Sequence, residues 1–513
     1  MVLLVGRKLG VVISTVDTPN TQKFLFVVSD GELDKGAFVE ARSEDGSLIG
    51  MITSLVKANR YFERADSVKS FEKSGASIAE QLPAGEWEYL VAEVKALSVH
   101  GKGLQKRPSK PVSPGTEVFL AGEQSLRRLL GFDFDNGLKL GELEHHALPV
   151  SLSLDKLLRK HLAILSISGG GKSYAASCLL EELLDRPPEK GRVAVVLLDV
   201  HGEYTSLAQP PTSPEFKDYS RSVRVVDAGD VRIGVSHLSP SMLEAFASGV
   251  SRPQSRALYK VISSLRKADS LAPFDLEKVR LEVEASESVK EGTKGVLLSM
   301  LDQLDSLGLF SSTDAPSVRE LAVPGRLSII DFSKTVDLRK KRFIVAHVAR
   351  ALFEERRKGR IPPFLLVVEE AHQFAPERVA GEMSVAKQVL ENIAREGRKF
   401  GACLCLITQR PVQLATTVLS QCNTNLILRV TNPYDLKHIG ESCEGLDSDA
   451  ISMITTLRTG EGLLVGEAVS FPLFFKVRRR RSQESPHSKS LEDIAKEFES
   501  ARGAEREDVK AFV

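Results

Sequence analysis

The chain has 513 residues, too many for one hydrophobic core, so we expect roughly two to four domains. Hydrophobic residues make up 42% and charged residues 27% of the chain, an ordinary balance for a soluble protein. The net charge is only +1, so any affinity for nucleic acid must come from local basic patches. The sequence has no run of about 18 apolar residues and no signal-peptide pattern, so it supports neither a membrane span nor secretion.

The five cysteines lie mostly in apolar segments and form no C-x-x-C pair. They are Cys178, Cys403, Cys405, Cys422 and Cys443. We interpret them as buried free thiols in a reducing compartment, in preference to zinc ligands or disulfides. The expected location is therefore cytoplasmic.

Short β-like segments separated by turn residues make up the first ~130 residues. The segments are 9–16, 24–28, 37–41, 48–52 and 87–96. Turn sequences at residues 29–31 and 44–46 lie between them. This spacing predicts a small β-barrel, and we place that domain at residues 1–130.

From Pro149 onward the pattern changes to that of an α/β domain. Nearly continuous apolar runs predict buried parallel strands at residues 193–198, 364–368, 404–407 and 426–430. Between roughly residues 240 and 310, apolar residues recur at helical spacing. We interpret that stretch as a helical insertion, and a separate helical domain would differ little in consequence.

These patterns predict an α/β core at residues 131–237 and 321–475 with the helical insertion at 238–320. Residues 476–513 form a basic segment and a C-terminal tail. The run Arg478–Arg481 is typical of a solvated or phosphate-facing patch, which we prefer to a localisation signal.

The most informative motif is Ala163–Ser173, an apolar strand that leads into a glycine-rich loop and a helical pattern. Gly171, Lys172 and Ser173 match the end of the phosphate-loop pattern G-x-x-x-x-G-K-[ST], in which the lysine reaches phosphates and the serine holds Mg²⁺. Ser166 stands where the first glycine is expected, and serine would cost ~1–2 kcal/mol if that position needed a positive φ. A chance glycine-rich turn is the alternative. The residues expected to hold the nucleotide are Ser168, Gly169, Gly170, Gly171, Lys172, Ser173 and Tyr174.

The second motif, at residues 199–204, places Asp199 and Glu203 at the carboxyl end of a predicted strand. Ligands bind at that edge in open α/β sheets. The two carboxylates could orient water or the hydration shell of a metal. A capped turn with ordinary surface acids is the alternative, and we interpret His201 as a structural hydrogen-bonding residue.

The third motif is Leu365–His372, where four apolar residues precede two acids in a Walker B arrangement. Glu369 occupies the Mg²⁺-coordinating position, and Glu370 would polarise the attacking water. The fourth motif is a further strand that ends near Gln409, which could sense the γ-phosphate or position the water. A simple turn at the end of the strand is the alternative for Gln409.

The fifth motif, at residues 394–401, is basic and lies just before the fourth strand. One of its arginines could reach the nucleotide of a neighbouring subunit. A solvated helix end, where cations interact favourably with the helix dipole, explains the same residues equally well. The residues alone leave these two interpretations even.

In order along the chain the motifs read Ser-Ile-Ser-Gly-Gly-Gly-Lys-Ser, Asp-Val-His-Gly-Glu-Tyr, Glu-Glu-Ala-His, Arg-Glu-Gly-Arg-Lys-Phe-Gly and Thr-Gln-Arg-Pro. This order resembles the HerA family, archaeal hexameric DNA translocases of the HerA/FtsK superfamily. The resemblance implies an α/β fold with a RecA-like P-loop NTPase core, an N-terminal HAS-type β-barrel and a helical insertion. It also implies ATP and Mg²⁺ as cofactors, double-stranded DNA as the substrate, a homo-hexamer, and a NurA-like nuclease partner in DNA end resection.

The resemblance assigns roles to the motif residues. Lys172 and Ser173 would bind phosphate and Mg²⁺, and Gln409 would act as the sensor. The acids placed around the metal and the water are Asp199, Glu369 and Glu370. Arg395 matches the family's arginine that acts in trans. The resemblance therefore favours the trans-acting arginine over the solvated helix end. A second trans-acting arginine usually precedes a histidine; here Lys160 precedes His161 and keeps the charge without the planar fork.

The sequence therefore predicts a homo-hexameric ring ATPase that moves double-stranded DNA through its pore. No membrane partner is expected. The residues expected to contact DNA are Arg378, Lys387, Arg410 and Gln413, although a charged loop is also explained by solvation alone. One alternative function is a slow or non-hydrolysing nucleotide-binding ring that scaffolds a nuclease, which Ser166 and Lys160 motivate. Another is a protein-substrate ring ATPase of the AAA+ kind, in which the second motif would have no role.

Overall fold

The computed structural model describes most of the chain in two compact units. The described residues are 6–29, 33–59, 69, 88–101, 104–238, 242, 251–268, 273–287, 289–378, 384–485, 492–493, 495–496 and 498–499. The first unit is Met1–Leu157 with Asn423–Arg478, and the second is Leu158–Cys422 with Arg479–Val513. This division differs from the domain limits expected from sequence, because residues 131–157 and 423–478 group with the N-terminal strands.

The first unit begins with a closed β-barrel. Its strands are β1 (Lys8–Ile13), β2 (Lys23–Val28), β3 (Phe38–Ser43), β4 (Gly46–Asn59), β5 (Glu88–Gly101), β6 (Leu104–Lys106) and β7 (Glu117–Leu120). They pair in the order β2-β1-β7-β3-β4-β5-β6, and β2 also pairs with β5, so six strands close a ring and β6 lies outside it. Fully buried side chains such as Phe24, Phe26 and Leu48 fill the interior, which confirms the predicted barrel.

Short elements connect the barrel to the second unit. They are α1 (Glu123–Leu130), β8 (Leu138–Leu143), β9 (Pro149–Leu152) and α2 (Leu154–Leu158). The second unit then begins with β10 (Leu162–Leu165), α3 (Lys172–Leu184), β11 (Ala194–Asp199), β12 (Val223–Asp227) and β13 (Ile233–Gly234).

In the described part of this region, helices follow β13 at the position of the predicted insertion. They are α4 (Arg252–Ala268), α5 (Leu276–Ala285) and α6 (Glu291–Ser306), and β14 (Phe310–Ser311) follows them. The strands β13 and β14 pair in parallel, so the two ends of this helical excursion meet. Asp314 holds the junction together, because its carboxylate accepts hydrogen bonds from Gly234 N (2.7 Å) and ion-pairs with His237 (2.9 Å) and His347 (3.2 Å).

The rest of the second unit alternates helices and strands. These elements are α7 (Val318–Leu321), β15 (Leu327–Asp331), α8 (Leu338–Arg357), β16 (Phe364–Val368), α9 (Ser384–Glu396), β17 (Ala402–Thr408) and α10 (Thr416–Leu419). Six parallel strands pair in the order β12-β15-β11-β16-β17-β10. Every residue of β10, β11, β16 and β17 is buried, as in parallel strands covered on both faces. We call the side where these strands end the carboxyl edge, and the opposite side the amino edge.

The chain then returns to the first unit. Its last elements are β18 (Thr424–Ile427), α11 (Pro433–Ser442), α12 (Ser448–Ile454), β19 (Glu461–Gly466) and β20 (Leu473–Val477). The strands β18, β19, β20, β8 and β9 are antiparallel neighbours in this order. No helix in the described residues is long and apolar enough to span a membrane. All five cysteines are free and buried, which confirms that interpretation.

Residues 479–485, the tail segment, lie along helix α3 of the second unit. The fully buried Glu181 carboxylate accepts hydrogen bonds from Arg481 N (3.0 Å), Ser482 N (2.8 Å) and Ser482 Oγ (2.6 Å). Arg480 is only 8% exposed, and Arg481 pairs with Glu182 and Asp185, each at 2.7 Å. The expectation of a solvated or phosphate-facing run is therefore wrong for Arg480 and Arg481, because acids of α3 already neutralise them.

Glu181→Ala should lower the free energy of unfolding of the second unit by about 3–5 kcal/mol, since it leaves the buried Ser482 N–H without its acceptor and removes the anion that pairs with buried Arg480. Glu181→Gln is the matched control and should lose less, because its amide oxygen still accepts. Thermal unfolding of the full chain, followed by circular dichroism, measures both. A Glu181→Ala variant with the wild-type midpoint would show that the tail segment does not stabilise α3.

Candidate nucleotide site

The glycine-rich loop connects the end of β10 to the start of α3 at the carboxyl edge. Gly169 (φ 72°) and Gly171 (φ 94°) have left-handed backbones that glycine adopts without steric cost. Ser168 and Gly169 are exposed, and no atom lies within 4 Å of a Cβ built on Gly169, so the loop is open to a ligand there. The unpaired N–H groups at the start of α3 and its dipole favour an anion at this position.

Ser166 occupies the position of the missing glycine without backbone strain. The described non-glycine residues with positive φ are His145, His161 and Glu370, so the cost considered for serine does not arise. Ser166 is fully buried, and its Oγ donates to the Ile167 carbonyl at 3.0 Å. A Cβ on Gly170 would overlap with that same Oγ. The Ser166 hydroxyl therefore occupies the space that a side chain at position 170 would need. Only glycine fits at position 170 beside this serine.

Gly170→Ala should weaken binding of a fluorescent ATP analogue about tenfold, because an overpacked contact of this kind costs ~1–3 kcal/mol. Ser166→Gly should bind almost as the wild type does. The double variant should recover most of the loss, since the Oγ that the new methyl group meets is gone. Equal binding by the double variant and Gly170→Ala would mean that the Ile167 carbonyl, not Ser166, limits the space.

Asp199 holds the turn that follows β11. Its Oδ1 accepts from Gly202 N (2.8 Å) and Glu203 N (3.2 Å), and its Oδ2 accepts from Tyr204 N (3.0 Å). Both oxygens are thus used within the second motif, as the capped-turn interpretation expects. The turn directs Glu203 towards the phosphate loop, where its carboxylate accepts a hydrogen bond from Ser173 Oγ. Asp199 is a positioning residue in this arrangement, and its action on water stays a prediction.

Glu369 is a fully buried carboxylate beside these acids. Its Oε2 accepts from Val200 N (2.7 Å) and His201 N (3.2 Å), whereas its Oε1 has no hydrogen-bond partner among the described residues. Burial, followed by the nearby charges of Asp199 and Glu203, raises the pKa of Glu369. An orphaned oxygen beside several acids fits a divalent cation.

The protein ligands alone do not form a metal cage. In the described part of the chain, no group of three or more His, Cys, Asp or Glu side chains is arranged to hold a metal ion. Mg²⁺ commonly keeps several waters and takes one or two protein ligands together with substrate phosphates. Ser173, whose Oγ donates to Glu203, and Glu369, with its orphaned Oε1, would hold the cation in such a site, and this role stays a prediction.

Glu370 comes directly after β16 and has a left-handed backbone, with φ 47° and ψ 45°. Non-glycine residues in this region are often held there by functional sites. Its Oε1 lies 3.7 Å from Lys172 Nζ, and both residues are buried. Burial raises the pKa of Glu370, while Lys172 and the backbone N–H of Gln409 lower it. The structure thus brings Lys172, Glu370 and Gln409 together at the carboxyl edge.

Arg395 and Lys160 lie at the amino edge, away from this cluster. The buried His161, which precedes β10, accepts from Leu404 N at Nδ1 (3.0 Å) and donates from Nε2 to Ala394 O (3.0 Å). Burial lowers the pKa of His161 to about 4, consistent with this single N–H. The four residues of β10 separate His161 from the loop by roughly 13 Å of strand.

Arg395 is therefore far from the phosphate loop of its own chain. Its side chain is 60% exposed and pairs with Glu391 at 3.2 Å. Lys160 is half-buried and adjoins His161. Both residues therefore lie at the opposite edge of the sheet from Lys172 and Glu370, and their action in trans stays a prediction.

Comparisons with known proteins agree with the motifs. A family model for the central domain of the helicase HerA matches residues 138–352. Over 508 residues the chain is 28% identical to the DNA double-strand break repair helicase HerA of Pyrococcus furiosus, covering 86% of this chain and 87% of that protein. It is 29% identical over 442 residues to a probable repair helicase HerA of Methanocaldococcus jannaschii, covering 76% and 85%. The chain is thus similar to HerA helicases over most of its length.

The fold of this chain also matches a solved structure. VirB4 of Thermoanaerobacter pseudethanolicus is 17% identical and has a TM-score of 0.52, covering 69% of this chain and 99% of that chain. At this identity the likeness concerns the fold alone. It confirms the predicted RecA-like α/β fold of the core.

The residues predicted to contact DNA lie on segments that touch each other. We call residues 376–378 and 410–416 the exit-loop surface. Within it Glu377 donates from N to Gln413 O (2.8 Å), accepts at its carbonyl from Lys387 Nζ (3.2 Å), and accepts at its carboxylate from Thr416 N (2.5 Å). Arg378, Arg410 and Gln413 are exposed. Their contact with DNA stays a prediction.

Three polar contacts of the site were not predicted from sequence. His372 Nδ1 lies 3.0 Å from the Thr408 hydroxyl and 3.3 Å from Glu370 Oε2. Burial, with the charges of Arg410 and Lys172, lowers the pKa of His372 to about 4. The hydroxyl of Tyr174, expected to contact nucleotide, accepts from Arg480 N at 2.7 Å. The His in the Glu-Glu-Ala-His motif was the available signal for the first contact.

Proposed function

We propose that this chain is an ATP-driven translocase or helicase that acts on double-stranded DNA in repair. The names of its relatives, repair helicases of the HerA type, support the coarser part of this proposal, an ATPase of the helicase class. The observation that best supports this proposal is that charged side chains of the second unit lie at opposite edges of its sheet. The loop lysine and the acids converge at the carboxyl edge, while Arg395 lies at the amino edge.

The side chains at the carboxyl edge fit hydrolysis of a nucleoside triphosphate. Bound Mg²⁺–ATP supplies a phosphoanhydride that water can attack and a cation that neutralises the phosphate charge. Lys172 would hold the β- and γ-phosphates, and Ser173 and Glu369 would hold the Mg²⁺. Glu370 would accept the proton of the attacking water, and the raised pKa of this buried carboxyl suits a general base.

The position of Arg395 supports an assembly with shared sites. Among the described residues Lys172 is the cation that pairs with Glu370, and a neighbouring copy can supply a further cation for the transferring phosphoryl group from its amino edge. Repeated head-to-tail contacts of this type close into a ring when the rotation allows it. We therefore propose a homo-hexamer in which Arg395 and Lys160 complete the site of the adjacent subunit.

The DNA would lie against the exit-loop surface. Arg378, Lys387 and Arg410 suit contacts to phosphates, which are independent of sequence and weaken with salt. Because the relatives are named for the repair of double-strand breaks, we propose that the chain works with a NurA-like nuclease in the resection of DNA ends.

The alternative remains a slow or non-hydrolysing ring that binds nucleotide and scaffolds a nuclease. Lys160, in place of an arginine, favours it, whereas the unstrained backbone of Ser166 removes one reason for it. Steady-state ATP hydrolysis with and without linear duplex DNA separates the two functions. Turnover that DNA stimulates supports the motor, and turnover no higher than that of Glu370→Gln in both conditions supports the scaffold.

A further inference from the structure

Two side chains, the half-buried His372 and the buried Thr408, connect the proposed general base to the exit-loop surface. Thr408, the last residue of β17, is fully buried, and its Oγ1 accepts a hydrogen bond from Arg410 N at 3.0 Å. The same oxygen lies 3.0 Å from His372 Nδ1, and that nitrogen lies 3.3 Å from Glu370 Oε2. The route therefore runs from Glu370 through His372 and Thr408 to the backbone of Arg410.

At the ring of His372, the acceptor oxygens outnumber the N–H groups that can donate to them. Glu370 Oε2 is buried and accepts no hydrogen bond among the described residues. We assign the proton of neutral His372 to Nδ1, because a lone pair on that nitrogen would face the Glu370 carboxylate; this single N–H then faces two oxygens. The shorter contact is with Thr408, so the carboxylate oxygen is left without a full donor. An unsatisfied buried carboxylate oxygen is costly, which makes a second arrangement, with the N–H turned to Glu370, close in energy.

The end of the route away from Glu370 reaches the exit-loop surface, which contains the cations Arg378 and Arg410. The backbone of Arg410 continues to Gln413, whose carbonyl accepts from Glu377 N, and Lys387 Nζ donates to the Glu377 carbonyl. A displacement of Arg410 by a polyanion would pull its N–H away from Thr408 Oγ1. The hydroxyl would then lose one of its partners, and its hold on His372 would change.

We propose that Thr408 and His372 are positioning residues that couple Glu370 to the exit-loop surface, so that contact of DNA with that surface decides which oxygen receives the His372 N–H. This inference rests on the proposed function, since it needs DNA at the exit-loop surface. Without DNA, Thr408 holds the histidine, and Oε2 of Glu370 has no donor among the described residues. With DNA, the histidine turns to Glu370 and orients the carboxylate for the attacking water.

Thr408→Val keeps the shape of the side chain and removes the hydroxyl. We expect it to reduce the ratio of DNA-stimulated to basal ATP turnover by about fivefold or more, with the KM for ATP and the affinity for DNA nearly unchanged. Thr408→Ser restores the hydroxyl and should keep the ratio. A Val variant with the wild-type ratio, or a Ser variant that loses it equally, would overturn the coupling.

A second pair of variants, at His372, tests the coupling if Thr408→Val does not fold. His372→Leu should lose the ratio, whereas His372→Asn, whose amide N–H can take the place of Nδ1, should keep most of it. Equal effects of the two substitutions would show that His372 only fills space.

Hydrogen–deuterium exchange separates this inference from the proposed function. Addition of a non-hydrolysable ATP analogue should change the protection of residues 410–416 in the wild type and not in Thr408→Val. A wild type that DNA does not stimulate would contradict the proposed function, while the exchange result would still stand for or against the coupling. Equal exchange responses in the two proteins would overturn the coupling even if DNA stimulates turnover.

Discussion

The Glu370→Gln variant is expected to bind ATP as the wild type does and to hydrolyse it about 10²–10⁴-fold more slowly, the usual loss on removing a general base. The amide is similar in shape to the carboxylate, so the ion pair with Lys172 is lost while the packing stays. Binding of a fluorescent ATP analogue and steady-state phosphate release measure the two properties separately.

Glu189→Gln is the matched control, because Glu189 is an exposed acid of the same unit in the turn after α3. It should hydrolyse ATP at the wild-type rate. If Glu370→Gln also turned over within a factor of about ten of the wild type, the proton would go to another group. The left-handed backbone of Glu370 would then need a different explanation.

The Arg395→Ala variant should assemble and bind nucleotide normally but lose about 10³–10⁵-fold in turnover, as expected for an arginine that acts in trans. The folding cost should be small, since the side chain is 60% exposed and its one described ion pair is with Glu391 on the same helix. Arg398→Ala is the control from the same motif, because Arg398 is also exposed. Loss of turnover in Arg398→Ala with normal turnover in Arg395→Ala would reverse the assignment.

Mixing two inactive variants tests whether the sites are shared. When Arg395→Ala subunits assemble with Glu370→Gln subunits, about a quarter of random interfaces combine an intact Glu370 with an intact Arg395 of the neighbour. Turnover of the mixture should therefore rise well above that of either variant alone. A mixture as inactive as its components, in assemblies shown by native mass spectrometry to contain both, would argue against a shared site.

The local motifs were predictable because the residues that define each of them are adjacent in the sequence. The strand, loop and helix around Lys172 and the strand that ends at Glu370 each follow from a short pattern, and parallel strands bring their ends to one edge. The contact between Lys172 and Glu370 is a consequence of that topology. The barrel was predictable for a similar reason, since turns divide its strands at regular spacing.

Other features depend on partners that are distant in the chain. Arg480 and Arg481 read as a basic patch until Glu181 and Asp185 are found beside them, about 300 positions earlier. The contact between His372 and Thr408 exists because β16 and β17 are neighbours in the sheet. No spacing rule in the sequence gives that pairing.

Backbone conformation was the third kind of information that sequence did not provide. A serine in a glycine position suggested strain, but the φ of Ser166 lies outside the left-handed region. The second motif suggested an acid facing water, but Asp199 uses both oxygens on the N–H groups of its own turn. In both cases residue type alone could not distinguish the two geometries.

The central claim is that ATP hydrolysis at Glu370 drives movement along double-stranded DNA. Displacement of a fluorescent triplex-forming strand from linear duplex DNA by the full chain tests it most directly. The account predicts ATP-dependent displacement by the wild type, and none by Glu370→Gln or with a non-hydrolysable analogue. Hydrolysis that DNA stimulates without any displacement, or equal displacement by Glu370→Gln, would contradict it.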